Sequence, residues 1–376
     1  MGVIAALASG LLVDGSMLAD LRSGSSVEGQ DPSAAAISAD LQGRLSDGGI
    51  GLKFGLEPSA VLAQSSRVFA RGFGQVDLRL DETAWAHLKQ GLGYGTVDLS
   101  PVGPGGAPAG TAVQPPPTSR FVLVQESSTS LDLDVRASRR LRLAGSAAWM
   151  VSGGADAAGR LALPLARGPQ VRALLDWLGT PLDAIHLEAA GSDTRYSNQR
   201  RASVASFTAG WRTRPSRATE LSLSLGPGIG RAQLADQQPL TVAYVVAAAD
   251  LRSTFTPALA ASIGGSVEPV GDALSGEVVE RGSARASVTL GRPGGLTASA
   301  RLIGSLTLTS GGSAPSSPQA GDRFWQGELS AGLPIDSRSS LAAGIRGALF
   351  SRPLPGQPDQ QWAAFVSYAA RLALLR

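Results

Sequence analysis

The chain contains no cysteine, which excludes a disulfide scaffold and a structural thiolate zinc site. No run of 18 or more apolar residues occurs in it, which excludes a spanning helix. Histidine is nearly absent, with only His87 and His186, too few for a multi-histidine metal centre. Charge is sparse too: Asp, Glu, Lys and Arg make up 17% of the 376 residues, with a formal net charge of +3. No block of five or six basic residues stands out, so nucleic acid is not an expected partner. In place of these the chain has 47 Gly, 23 Pro and 43% hydrophobic residues. That hydrophobic share is ordinary for a soluble protein. It is also what a membrane barrel has, since only every second strand residue meets lipid.

The informative pattern is alternation. In Ala35–Asp47 the odd positions are Ala35, Ile37, Ala39, Leu41, Gly43 and Leu45, and the even ones include Ser38, Asp40, Gln42 and Arg44. Successive strand side chains point to opposite faces, so this segment has one apolar and one polar face. The same split recurs in Leu11–Arg22, Phe121–Arg136 and Leu141–Ser152, and again near the end of the chain, where Trp362, Ala364, Val366 and Tyr368 oppose Ser367 and Arg371. Mid-strand charges avoid the apolar parity. That is the condition lipid imposes, because Lys or Arg on the lipid face at the bilayer midplane costs about 2–4 kcal/mol. Asp98, Asp193 and Arg195 break the parity near expected strand ends.

Connections come in two kinds. Short ones rich in Gly, Pro, Asp and Ser are expected at Asp47–Gly49, Asp81–Thr83, Ala137–Arg139, Gly179–Leu182, Pro215–Ala218, Thr254–Thr256, Gly291–Gly294 and Ile335–Ser339, as hairpin turns require. Longer ones alternate with them: Ser23–Ser33, Val102–Ser119, Gly153–Gln170, Thr309–Gly321 and Arg352–Gln360. Strict alternation of short turns with long loops is an outer-membrane signature. Twelve residues at about 3.3 Å, tilted about 40–45°, climb roughly 28 Å, close to the required apolar band. The expected fold is therefore all-β: a closed antiparallel up-and-down transmembrane β-barrel of about 16–18 strands, spanning residues 11–376. Residues 1–10 are set apart as a signal remnant or periplasmic N-terminus, with Ala6-Leu7-Ala8 resembling a cleavage site; the alternative is that they begin a strand. Trp85, Trp177, Trp211, Trp325 and Trp362 fall near strand ends, where aromatic girdles sit. The competing reading is a soluble all-β protein with its apolar face inward. Against it, that face is filled with Ala, Gly and Leu, loosely for a packed core.

Strands such as those in STSLDLDVRASRRLRLAGSAAWM and ELSLSLGPGIG resemble those of Gram-negative outer-membrane β-barrel proteins, over nearly the whole chain. The resemblance implies an outer-membrane location, lipid as surroundings, the barrel-assembly machinery as partner and porin-like passage of small polar solutes. Such barrels often end in an aromatic residue that the machinery reads, whereas this sequence ends Leu374-Leu375-Arg376.

With the apolar set turned to lipid, the polar set faces the lumen. The residues expected to line it are Asp40, Arg44, Lys53, Asp77, Arg79, Lys89, Glu126, Asp132, Asp134, Arg142, Asp176, Glu188, Arg212, Asp250, Arg285, Arg301, Arg346 and Arg371, with Asp20 beside them. Both signs are present, and arginine dominates the later half. Such a lumen holds water and selects solutes by charge and size. No catalytic, metal or cofactor residues are assigned, and the chain is not read as an enzyme. A hydrolase centred on His186 and Glu188 is a weaker alternative, as no Gly-x-Ser-x-Gly elbow occurs. A non-conducting barrel that displays its loops is another. Gly91, Gly93 and Gly95, and Gly226, Gly228 and Gly230, are spaced by two on the inward parity; they suggest bending or a close approach inside the barrel, not a phosphate loop.

Overall fold

The computed structural model describes residues 12–26, 34–47, 49–62, 66–98, 121–233, 238–272, 277–292, 294–310, 323–350 and 359–375. Eighteen strands follow one another: β1 (Leu12–Ser26), β2 (Ala34–Asp47), β3 (Ile50–Leu62), β4 (Ser66–Arg79), β5 (Ala84–Asp98), β6 (Phe121–Arg136), β7 (Leu141–Gly154), β8 (Ala166–Leu178), β9 (Asp183–Tyr196), β10 (Arg201–Ser216), β11 (Thr219–Gln233), β12 (Leu240–Thr256), β13 (Leu259–Gly271), β14 (Val278–Gly291), β15 (Thr297–Ser310), β16 (Arg323–Pro334), β17 (Ser339–Phe350) and β18 (Gln360–Leu375). Each pairs antiparallel with the next. β18 pairs in turn with β1, from Ser26 opposite Gln361 to Val13 opposite Leu375, and closes the ring. Closure is what lipid demands, since an open sheet edge would leave backbone N–H and C=O groups unsatisfied at several kcal/mol each. No described helix is long and apolar enough to cross a membrane; the strands are the crossing elements.

Alternation makes the two faces. On the outer parity of β10 stand Ala205, Phe207, Ala209 and Trp211; on the inner parity stand Ser206, Thr208, Gly210 and Arg212. Ile37, Leu56, Leu92, Leu225, Ile263, Leu329 and Ile345 are all exposed on the outside of the barrel. No charged residue of outer parity in the described strands lies more than four positions from a strand end. Trp149, Trp177, Trp211, Trp325 and Trp362 share the outer parity. Trp85 does not: it lies on the inner face with His87, the two rings stacked with centroids 6.4 Å apart and Arg79 over the indole. The girdle expected of Trp85 fails because one position of phase moves a side chain from lipid to lumen.

At one end the connections are short, and Asp side chains fold two of them. Asp336 Oδ1 accepts from the backbone N–H of Arg338 and Ser339 at 2.7 Å each. Asp81 Oδ1 accepts from Thr83 N–H at 2.6 Å and from its hydroxyl at 2.9 Å. These hydrogen bonds hold both carboxyls below their ordinary range. The expected turn at Thr254–Thr256 lies inside β12; the reversal is at residues 257–258. At the other end the alternation is less strict than expected, since β3 joins β4 across residues 63–65 and β9 joins β10 across residues 197–200. The β7–β8 connection carries helix α1 (Ala157–Ala162), capped by Asp156, whose carboxylate accepts from Gly159 N–H at 2.6 Å. Met1–Ser9 and the loop Val102–Ser119 lie outside the described residues.

Two hairpin ribbons leave the wall at this long-loop end. β4 pairs with β5 only as far as Phe69 opposite Gly95, whereas β5 and β6 stay paired to Asp98 opposite Phe121. Gly95 makes the bend at φ +138°, and a Cβ there would stand 2.3 Å from the Val68 carbonyl oxygen. Past it the ribbon leans toward β1, where Asp98 forms a buried ion pair with Arg22 although three strands lie between, and Phe121 lies under the Arg67 guanidinium. Asp98 thus shares the outer parity but is buried, because the ribbon carrying it has turned away from the wall.

The second ribbon, β13–β14, parts from the wall on one side only, since β14 stays paired with β15 as far as Val279 opposite Ser310. β12 and β13 part after Ala247 opposite Val267, while β13 and β14 remain paired to Gly271 opposite Val278. The freed stretch of β12 finds other partners: Val245 N–H donates to Glu280 Oε1 at 3.3 Å, and Tyr244 Oη donates to the Val278 carbonyl at 2.7 Å. Val278, Tyr244, Tyr196, Ala202 and Ala232 form a small apolar cluster there.

Candidate functional site

The inner wall places charged residues in antiparallel rows, and row geometry decides which of them meet. In one row Gly51, Asp77, His87 and Asp132 stand directly opposite one another across β3 to β6. Asp77 is the hub. Its carboxylate accepts from Lys53 Nζ at 2.8 Å and Gln75 Nε2 at 2.6 Å, and lies 2.6 Å from His87 Nδ1. Lys89, one row up, sits over the Phe73 ring at 5.2 Å.

A second arrangement uses glycine. Arg71, Gly93 and Glu126 are directly opposite on β4, β5 and β6, as are Asp250, Gly264 and Arg285 on β12, β13 and β14. In both sets the outer two form an ion pair over the glycine. The pair spans two strand spacings, roughly 9–10 Å, which a long side chain covers only if nothing stands between. A Cβ at Gly264 would lie 2.1 Å from Asp250 Oδ1. Gly228 and Gly230 make room for the inturned ribbon: a Cβ at Gly230 would meet Val278 Cγ1 at 2.4 Å, and one at Gly228 would meet Pro269 Cγ at 3.2 Å. The close approach expected at these glycines is present, and its cause is β13–β14.

Further inner pairs are Arg142 with Asp134, Arg172 with Glu188 at 2.7 Å and Arg214 with Glu220 at 2.9 Å. Their side chains keep much exposure, so each contributes between zero and about 1 kcal/mol. The strip formed by β15–β18 and β1 differs. Arg346 reaches Asp20 at 3.0 Å and Glu328 at 2.8 Å and lies 3.8 Å from the Phe365 ring centroid; Asp20 is 2% exposed. Four positions further along β16 and β17, Phe324 and Phe350 pack on each other, ring centroids 5.1 Å apart. Inner-face serines pair across strands: Ser262 with Ser287 at 2.7 Å, Ser266 with Ser283 at 2.8 Å and Ser299 with Ser330 at 2.7 Å.

Every charged residue placed on the polar parity from sequence, from Asp20 to Arg371, lies on the inner parity of its strand. The structure brings Lys53, Asp77 and His87 together, and joins Asp134 to Arg142, Asp250 to Arg285 and Asp20 to Arg346. Arg44, Asp132, Asp176, Arg212, Arg301 and Arg371 share the face without joining these pairs. Sequence reasoning missed Arg22, Arg71, Arg172, Glu220 and Glu328, all partners in these pairs. Strand parity alone marks them, but their partners lie one or more strands away. His186 faces the lumen opposite Asp176 and Gly210, while Glu188, two positions on, is occupied by Arg172. Among the described residues no group of three or more potential ligands could hold a metal ion.

A closed 18-stranded barrel with an apolar exterior and a charged interior is an outer-membrane β-barrel of the channel type. Solved structures that it resembles include three from Pseudomonas aeruginosa. OccK2 (OpdF), solved in complex with glucuronate, superposes with TM-score 0.55 at 12% identity over 97% of this chain and 98% of its own. OccK3 (OpdO) gives 0.53 at 14% identity over 99% and 98%, and OccK11 (OpdR) gives 0.53 at 12% over 96% of each. No curated protein matches the sequence. Residues 73–375 match the EpsX exopolysaccharide export family, and the chain belongs to that family, an export family and not an enzyme family.

Proposed function

We propose that the barrel is an outer-membrane passage for a polar carbohydrate polymer, in keeping with the export role that names its family. The observation that carries this reading is the sorting of charge. The inner face combines ion pairs, further arginines and serine hydroxyls, while the outer face between its rims carries no charged group in the described strands. A polyhydroxylated chain moving through such a lumen exchanges water for hydroxyl and charged partners of similar strength, and so advances without a deep trap. The residues assigned to the lining are the eighteen from Asp40 to Arg371 given above, acting by charge and size without covalent chemistry. Small polar solutes would pass by the same route. Insertion by the barrel-assembly machinery belongs to the same proposal.

The test is deletion of the gene with surface polysaccharide measured against the total made by the cell. Loss of the surface fraction, restored by the intact chain, supports the passage; an unchanged surface fraction refutes it. A second reading, a barrel closed at rest, draws on the two inturned ribbons and the buried strip around Arg346. Stepwise currents from the purified full-length chain in a planar bilayer would exclude it, and a correctly inserted but electrically silent barrel would favour it.

A further inference from the structure

Among the described residues the lipid-facing surface carries one concentration of positive charge. Arg167 on β8, Arg195 on β9 and Arg201 on β10 stand directly opposite one another, and Arg231 on β11 is opposite Ser203 in the adjoining row. All four are exposed and share the parity of Val171, Leu187, Phe207 and Leu225, the lipid-facing set. One carboxylate stands among them: Asp193 accepts from Arg201 Nε at 2.6 Å and Nη2 at 2.7 Å and from the Ser203 hydroxyl at 2.8 Å, and its charge also acts on Arg195.

Their height follows from the chain. Arg167, Arg195, Arg201 and Arg231 lie ten positions along their strands from Trp177, Ile185, Trp211 and Leu221 at the short-turn end. Ten residues at about 3.3 Å, tilted about 40–45°, rise roughly 24 Å, the height of a barrel's apolar band. The guanidinium groups therefore sit at the opposite membrane interface, at headgroup level. Asp193 balances one of the four positive charges, and the excess of three, held in adjoining cross-strand rows, is destabilising as like charges so placed are. A further anion among them offsets that repulsion. At that height and on that face the anion at hand is a lipid phosphate, and the guanidinium fork binds phosphate bidentately. The rest of that rim shows no such set among the described strands: Glu280 is half-buried and bonded to Val245 N–H, and Arg323 stands apart.

We infer that Arg167, Arg195, Arg201 and Arg231 form a binding site for the phosphate groups of an anionic lipid in the leaflet at the long-loop end. The site is independent of whatever passes through the lumen.

The test is native mass spectrometry of the full-length, detergent-extracted barrel titrated with bisphosphorylated lipid A, its dephosphorylated form and inorganic phosphate. The expected result is retention of the bisphosphorylated lipid at least tenfold stronger than of the dephosphorylated form, little retention of free phosphate, and loss of the preference in R167Q/R195Q/R231Q. R301Q on the inner face should bind like the parent. Equal retention of the two lipids by the parent chain overturns the proposal and needs no variant. A triple variant that shows the native heat-modifiable gel shift and keeps full preference overturns it as well.

Discussion

Two stretches of the same inner wall hold their charges in opposite ways. Along β3–β9 and β12–β14 the ion pairs stand in the open: the side chains of Lys53, Arg172 and Arg285 are 49%, 58% and 61% exposed. Along β15–β18 and β1, Arg346 is 12% and Asp20 2% exposed, and the Phe365 ring covers the Arg346 guanidinium. Distances in the two stretches are alike; access of water is not. Coulomb attraction and desolvation cost both scale with the local dielectric, so the open pairs tune the lumen's field while the buried ones tie strands together.

The comparison breaks most sharply at Arg346. Arg346→Ala removes the partner of both Asp20 and Glu328 and should cost about 3–5 kcal/mol, read as a lower urea midpoint of the detergent-solubilised barrel. If Lys53→Ala costs as much, water access is not what separates the two stretches. Next comes a charge on the other side of the wall. Ile263→Arg, mid-strand on the lipid face and 60% exposed, should lose about 2–4 kcal/mol in a bilayer, although Arg285 on the facing strand is tolerated inside. Gly95→Ala puts a Cβ against the Val68 carbonyl at positive φ and should cost about 1–3 kcal/mol. The ribbon would have to straighten, breaking the Arg22–Asp98 ion pair, and the urea midpoint again reads the loss.

Smaller still is the open wall itself. Arg285→Gln should change stability by less than about 1 kcal/mol, yet shift reversal potentials toward cations by freeing the Asp250 carboxylate. The smallest effect belongs to the turns. Asp81 and Asp336 are held below their ordinary value of 3.8 by hydrogen bonds from Thr83 and from Arg338 and Ser339 respectively. A depressed carboxyl contributes stability above its unfolded pKa and loses it as pH falls through the folded one. Hydrogen exchange at Thr83, Arg338 and Ser339 N–H, corrected for intrinsic rates, should therefore be protected near neutral pH and lose protection below about pH 4.

Much of this architecture is legible in the chain because a two-residue period is a local property. Asp40, Glu126, Arg301 and Arg371 can be assigned to a face from their immediate neighbours alone, and the turns at Asp81 and Asp336 from their residue types. Trp85 defeats such reading because its place near a turn says nothing about phase; His87, its neighbour on the same face, is the signal that corrects it. Asp98 defeats it for another reason: a ribbon that leaves the wall changes what parity means beyond the bend, and Gly95 announces a bend without its direction. The glycine-spanned pairs Arg71–Glu126 and Asp250–Arg285 need the register of three strands at once.

From sequence alone come the two faces, the side chains that lipid can accept and a strand count within two of eighteen, since each follows from alternation, turn chemistry and the energy of charge in hydrocarbon. Tertiary structure decided which charges meet, which are dry and where the ribbons leave the wall. Those depend on cross-strand register and on two ribbons bending inward, and both are set by residues far apart in the chain.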